Sequence, residues 1–246
     1  MDIQEIRAVS DILRRGLEGY GLTERADPYA VQNMNGYCQM LLDKNREMNL
    51  TAITDPVDAA NLHMLDCAAL LNCAELEGGK TLIDVGTGAG FPGMVLKMLI
   101  PSLDMTLLDS LNKRLDWLME VCGELSIQGV HTVHGRAEEA GLDPAFRERF
   151  DFAAARAVAD LRILCELCLP FVKVGGRFLA MKSTGSDEEI EGARAAIQTL
   201  GGRVERCFDY TIPGTGVTHR VVVVEKTGPT PMKYPRRWAK IQKAPL

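Results

Sequence analysis

The sequence predicts an α/β fold: a seven-stranded, mostly parallel sheet covered by helices on both faces, with an antiparallel last strand and a helical extension in front. Three observations predict it. From Thr81 onward, short apolar runs alternate with stretches of helical periodicity. A glycine-rich loop stands directly between the first of these runs and a helix start. The last two runs are joined only by Pro213-Gly214-Thr215-Gly216-Val217-Thr218, too short for a crossover helix, so they form an antiparallel hairpin.

Residues 1–77 form the helical extension, expected to pack on the core. Ile3, Ile6, Val9, Leu13 and Leu17 follow three- and four-residue steps. Asp27-Pro28-Tyr29 marks a helix start, with Asp as cap and Pro at the first helical position, and that helix runs through Met40, Leu41 and Leu42. Thr54-Asp55-Pro56 opens another, through Leu62, Met64, Leu65, Leu70 and Leu71. The core, 78–226, reads as strand 81–85, helix 92–100, strand 105–108, helix 113–125, strand 130–133 and strand 152–155. It continues with helix 161–172, strand 176–181, helix 188–200 and the hairpin strands 203–212 and 219–225. Units of this kind closed by a hairpin are similar to class I (Rossmann-like) methyltransferases, whereas dinucleotide-binding dehydrogenases usually continue with parallel strands. Residues 227–246 are left as a basic tail.

The chain's 246 residues suit one α/β domain with an extension, and its 46% hydrophobic and 25% charged content are ordinary for a globular protein. No apolar run reaches the roughly 20 residues that span a bilayer, and Met1-Asp2-Ile3-Gln4-Glu5-Ile6-Arg7 lacks the order of a signal peptide. A cytoplasmic protein that meets no membrane is expected. Seven scattered cysteines argue against a disulfide framework; Cys165 and Cys168 form a C-x-x-C within helical apolar spacing and are expected as core thiols, with no metal. Residues 226–246 hold Lys226, Lys233, Arg236, Arg237, Lys240 and Lys243 and no acid, so the net charge of −5 divides into +6 there and −11 elsewhere. Such tails meet acidic partners, nucleic acid among them.

In an open parallel sheet, ligands sit beyond the carboxyl ends of the strands. Four such ends carry chemistry here. Asp84-Val85 is followed by Gly86, Gly88 and Gly90, which let the backbone turn and approach a ligand closely. Gly88, Gly90 and Gly93 also satisfy G-x-G-x-x-G, so the loop alone admits an adenosylmethionine or a nicotinamide cofactor. Asp109 closes the second strand 23 positions after Gly86, where a carboxylate accepts from ribose hydroxyls. Gly135-Arg136-Ala137-Glu138 follows the third strand, at the turn that touches adenine in methyltransferases. Arg156 follows the fourth, beside the place of the transferred methyl. Neither an Asn/Asp-Pro-Pro-aromatic motif nor a nucleophilic cysteine stands there.

The whole pattern resembles the RsmG (GidB) family, guanine-N7 methyltransferases of bacterial small-subunit ribosomal RNA. The resemblance rests on Asn49–Asp55, His63 with Asp66, Asp84–Gly93, Leu107–Ser110, Lys113-Arg114, His134–Glu139 and Arg156-Ala157. Lys182, His219-Arg220, Tyr234-Pro235-Arg236-Arg237 and the final Pro245-Leu246 complete it. Two positions depart: Leu62 stands where the family usually has a cation, and Ser183 where it has a glycine. The resemblance implies that Gly86, Gly88, Gly90, Phe91, Ala137, Glu138 and Arg156 contact S-adenosyl-L-methionine, with Asp109 on its ribose. It implies as target guanine 527 of the 530 loop in 16S rRNA, on the small ribosomal subunit. Arg156 and Lys182 are expected at the reacting base, and Lys233, Arg236 and Arg237 on the RNA. Deleting 233–246 is then expected to weaken RNA binding far more than cofactor binding. A monomer with no DNA partner is expected. A small-molecule methyltransferase and an NAD-binding module are the competing expectations.

Overall fold

The computed structural model describes residues 1–156 and 159–246; Ala157, part of the resemblance above, lies outside them. Helix α1, Ile3–Gly19, starts at a capping box in which Asp2 accepts the Glu5 N–H and Glu5 accepts the Asp2 N–H. It buries Val9, Leu13, Gly16 and Leu17 on one stripe. Helix α2, Ala30–Met48, buries Met34, Tyr37, Cys38 and Leu41. A third helical segment opens at Asp55, whose side chain accepts from the Val57 and Asp58 N–H groups. It runs as α3 Pro56–Ala59, a π-helical turn Ala60–Leu65, α4 Asp66–Ala68 and α5 Leu70–Cys73.

The sheet follows the predicted rhythm: β1 Thr81–Val85, α6 Gly93–Leu99, β2 Asp104–Asp109, α7 Asn112–Glu124, β3 Val130–His134, α8 Ala137–Ala140 and β4 Phe150–Ala155. Then come α9 Leu161–Cys168, β5 Val172–Ser183, α10 Asp187–Thr199, β6 Gly202–Thr211, β7 Thr218–Lys226 and α11 Trp238–Lys243. Strand order is β3-β2-β1-β4-β5-β7-β6, with β7 antiparallel to both neighbours. Order reverses between β1 and β4, which opens a crevice at their carboxyl ends.

Alternate strand residues face two cores. Leu82, Met105, Phe152 and Leu179 join α1, α2, α6 and α7 on one face, so the N-terminal helices share a core with the sheet. Ile83, Ala153, Phe178 and Val222 join α9 and α10 on the other. Cys165 and Cys168 are wholly buried there as free thiols. Among the described residues no helix is long and apolar enough to cross a membrane.

Three differences from the sequence expectations have physical causes. The helix foreseen over 161–172 stops at Cys168, because Pro170 lacks an N–H and Leu169–Phe171 tightens into a 3₁₀ turn. β5 therefore begins at Val172, before the foreseen 176. Lys226, counted with the basic tail, is buried in β7; its Nζ donates to the Leu169 and Val172 carbonyls and pairs with Glu148. The tail itself is tied down. Arg147 donates to the carbonyls of Thr230 at 2.7 Å and Tyr234 at 2.9 Å, and α11 docks with Ile241 buried.

Candidate active site

The loop after β1 is built by hydrogen bonds that its glycines make possible. Gly86 and Thr87 donate to the Leu108 carbonyl, stitching the loop to β2. Gly86 at φ 73° and Gly90 at φ 82° are left-handed, a region costly for residues with a Cβ. Asp84 Oδ2 accepts from Thr87 Oγ1 at 2.6 Å and from the Gly93 N–H at 2.9 Å, which fixes the start of α6. Its Oδ1 is buried without a hydrogen-bond partner among the described residues. Burial raises the Asp84 carboxyl to about 6, against the lowering effect of those two donors.

A Cβ built on Gly86 would meet nothing within 4 Å, whereas one on Gly90 would strike Tyr37 Oη and Met94. Gly86 thus faces open space and Gly90 faces packed atoms. The space is a cavity of about 310 Å³ walled by Gly86, Asp109, Ala137, Glu138, Leu164 and Trp238. Asp109 is 5% exposed; its Oδ2 accepts the Gly88 N–H at 2.8 Å and its Oδ1 the Leu111 N–H at 2.9 Å. The carboxylate is therefore held by backbone donors, and each oxygen keeps a lone pair for a hydroxyl. Glu138, 7% exposed, takes the Arg136 Nε on Oε1 at 2.7 Å. A cavity of this size, apolar at Leu164 and Trp238 and bearing two oriented carboxylates, fits an adenosine-containing cofactor.

A second cavity of about 610 Å³ is walled by Leu62, His63, Asp66, Arg156, Lys182 and His219, among others. It holds a polar network. Arg156 donates to the Leu62 carbonyl at 3.1 Å, to Asp66 Oδ2 at 3.4 Å and to His63 Nδ1 at 3.0 Å. Asp66 Oδ1 accepts from Tyr210 Oη and from His219 Nδ1, both at 2.7 Å. Since His63 Nδ1 accepts from a guanidinium, its proton sits on Nε2, which meets Thr51 Oγ1 at 2.8 Å. Burial and the nearby Arg156 charge pull the His63 imidazole down to about 4, so it is neutral. Its bond to Asp66 raises His219 instead. Phe91 stacks on His63 at 4.6 Å, and the Arg156 guanidinium lies over the same ring at 4.6 Å. The loop after β1 thereby packs beneath Arg156, in the wall of the second cavity, through Phe91.

Gly86, Asp109, Ala137 and Glu138 come together around the first cavity. Gly88 stands behind it as a donor to Asp109, and Gly90 packs against Tyr37. Arg156 lines the second cavity and lies over the ring of Phe91, which is itself buried; neither is among the described residues that line the first cavity. Lys182 lines the second cavity too, bonded to Glu189 at 2.6 Å and to the Ala159 carbonyl at 2.9 Å. Arg236 is not free: it makes a bidentate pair with Glu166, itself wholly buried. Lys233 and Arg237 are exposed. Sequence reasoning missed Trp238, the aromatic residue of the first cavity, because it was read only as part of a charged tail; a lone tryptophan among six cations was the available signal.

The strand order, the closing hairpin and the loop-and-carboxylate site define a class I, Rossmann-like methyltransferase fold. Solved structures of that fold align with the chain: TrmN from Thermus thermophilus at TM-score 0.51 and 21% identity, over 66% of this chain and 48% of that one. MtNAS in complex with MTA and tNA aligns at TM-score 0.53 and 16% identity, over 78% and 71%. The family is narrower. The profile of GidB, rRNA small subunit methyltransferase G, matches residues 30–212. Proteins named ribosomal RNA small subunit methyltransferase G are similar to it from Alkaliphilus metalliredigens, 46% identical over 96% of this chain and 98% of that protein, and from Acetivibrio thermocellus, 42% identical over the full length of both. The chain belongs to the rRNA small subunit methyltransferase G family.

Proposed function

We propose that this protein methylates N7 of a guanine in 16S rRNA using S-adenosyl-L-methionine, guanine 527 of the 530 loop being the target that the family resemblance implies. The observation that carries the reading is a pair of cavities, one lined by Asp109 and Glu138 and the other by Arg156. The first offers Asp109 and Glu138 to a nucleoside, and the second offers a rigid polar floor around Arg156. When bound, S-adenosylmethionine supplies an electrophilic methyl on a sulfonium. Guanine N7 carries a lone pair at neutral pH, so the protein need not remove a proton. Its residues have to orient and to exclude water, which can lower a barrier by roughly 7–11 kcal/mol.

Each group has a part in that task. Asp109 holds the ribose hydroxyls, and the Ala137–Glu138 turn holds the adenine edge. Arg156, fixed from three sides by Leu62, His63 and Asp66, orients the base. Lys182, held by the Ala159 carbonyl and Glu189, presents its ammonium in the wall of the same cavity as Arg156. The target base must first leave its stack, at a cost of a few kcal/mol, which phosphate contacts to the exposed Lys233, Arg237, Lys240 and Lys243 offset. Arg236 is removed from the RNA-facing set, since its guanidinium is committed to Glu166.

Mapping N7-methylguanine in 16S rRNA from cells with and without the protein tests this directly. The expected result is a modification at position 527 present only with the protein. Methylation at a different base, or on a small metabolite in the same assay, would replace the reading.

A further inference from the structure

The C-terminal segment docks on α9 and contributes Trp238 to the first cavity. Four anchors place it there. Arg147 binds the Thr230 and Tyr234 carbonyls, Tyr234 and Pro235 are buried, and Arg236 pairs with the buried Glu166 of α9 through Nε and Nη2. The Arg236 N–H also donates to Glu166 Oε1 at 2.8 Å. Two residues further on, Trp238 begins α11 and lines the first cavity together with Asp109, Ala137 and Glu138. Its ring is half-buried, so one part contacts protein and another is left to the cavity. Ile241, one turn later, is fully buried and sets the rotation of α11.

We infer that Trp238 is a cofactor-binding residue: its indole forms an apolar wall against the adenine of S-adenosylmethionine, and the tail's cations are thereby built onto the cofactor site. This rests on the cofactor assignment above. Three features of the cavity favour stacking. The adenine edge is provided for by the Ala137–Glu138 turn, so a face remains to be covered. Leu164 and Leu167 supply only aliphatic surface around it. An indole offers a purine a broad π surface, and base–aromatic stacking is worth about 1–3 kcal/mol. The consequence overturns the division of labour expected from the sequence: deleting 233–246 removes a wall of the cofactor site as well as the RNA-facing charges.

Truncation is a poor test, because it strips Arg236 from Glu166. Point variants of the full chain are better. The chain has two tryptophans, and Trp117 is buried against Tyr37, so a change in emission that vanishes in Trp238→Phe reports on Trp238. Titration of the wild type with S-adenosylhomocysteine should change its emission with the same midpoint as the calorimetric Kd. Trp238→Ala should bind about tenfold more weakly, which is about 1.4 kcal/mol, and Trp238→Phe should recover most of that loss. Should Trp238→Ala unfold, the wild-type emission change and the Trp238→Phe affinity decide. Wild-type affinity in Trp238→Ala, or an emission change that survives in Trp238→Phe, overturns the inference while the cofactor assignment stands. A wild type that binds no S-adenosylhomocysteine overturns both.

Discussion

Gly86 and Gly90, both in the loop after β1, do different work, and substitution separates them. Gly86 and Gly90 share a left-handed backbone, so alanine at either position strains the chain by about 1–2 kcal/mol. At Gly90 the new methyl would also lie 2.5 Å from Tyr37 Oη and 2.7 Å from Met94 Cγ. At Gly86 it would meet no protein atom. Gly90→Ala should therefore lower the unfolding free energy by clearly more than Gly86→Ala, by about 1–3 kcal/mol from the overpacking. Gly86→Ala should instead lose cofactor affinity beyond its loss of stability. Denaturant melts and calorimetry on both variants check the crossed pattern; parallel effects would defeat it. Asp109→Ala removes an ionised acceptor from the cavity, and should weaken S-adenosylhomocysteine binding by about 1.5–3 kcal/mol. Sequence alone marked both glycines and Asp109 as one cofactor group. It could not separate them, since what distinguishes Gly90 is Tyr37, which arrives from α2 across the fold.

At the scale of elements, the π-helical turn carries a buried ionisable group and the docked tail neutralises another. His63 sits in the π turn and is held neutral, with its imidazole lowered from 6.5 to about 4. Above pH 6.5 it is neutral in both the folded and unfolded chain. Between 6.5 and 4 only the unfolded chain takes up the proton, so stability falls with pH across that window, by on the order of 3 kcal/mol in full. His63→Gln should flatten this part of the stability–pH profile, measured by chemical unfolding at stepped pH. An unchanged slope would place the titration elsewhere. In the tail, Arg236 is the counter-charge of Glu166, which has no exposure at all. Arg236→Ala should destabilise the protein by about 3–5 kcal/mol, as loss of one partner of a buried pair does. A loss under 1 kcal/mol would mean that Glu166 finds another partner. The strands and their succession along the chain were legible, because short apolar runs and turn residues are local signals. Neither the π turn nor the pairing of Arg236 with Glu166 was legible, for the partners lie 70 residues apart and a charge run looks the same whether solvated or tied down.

For the whole molecule, the question is how an acidic body holds an acidic substrate. The full chain carries −5, so binding rests on where its cations are displayed. Of the six cations in 226–246, Lys226 is buried in β7 and Arg236 is paired with Glu166. The remaining four, Lys233, Arg237, Lys240 and Lys243, are exposed, on and just before the short helix that starts at Trp238. Their contacts to a single-stranded loop would release counterions, giving a slope of log K against log salt of about −0.7 per phosphate. Arg237→Ala combined with Lys240→Ala should thus reduce the steepness of that slope by about 1.4 and weaken RNA binding, leaving the calorimetric affinity for S-adenosylhomocysteine close to wild type. Neither side chain is among the described residues that line the first cavity, whereas Trp238 is, so the double variant isolates the effect of charge from that of Trp238. Filter binding of 16S rRNA fragments across a salt series measures it. If the slope stays as steep as in the wild type, the phosphates are met by another surface, and the tail acts on the reaction only through the cofactor cavity.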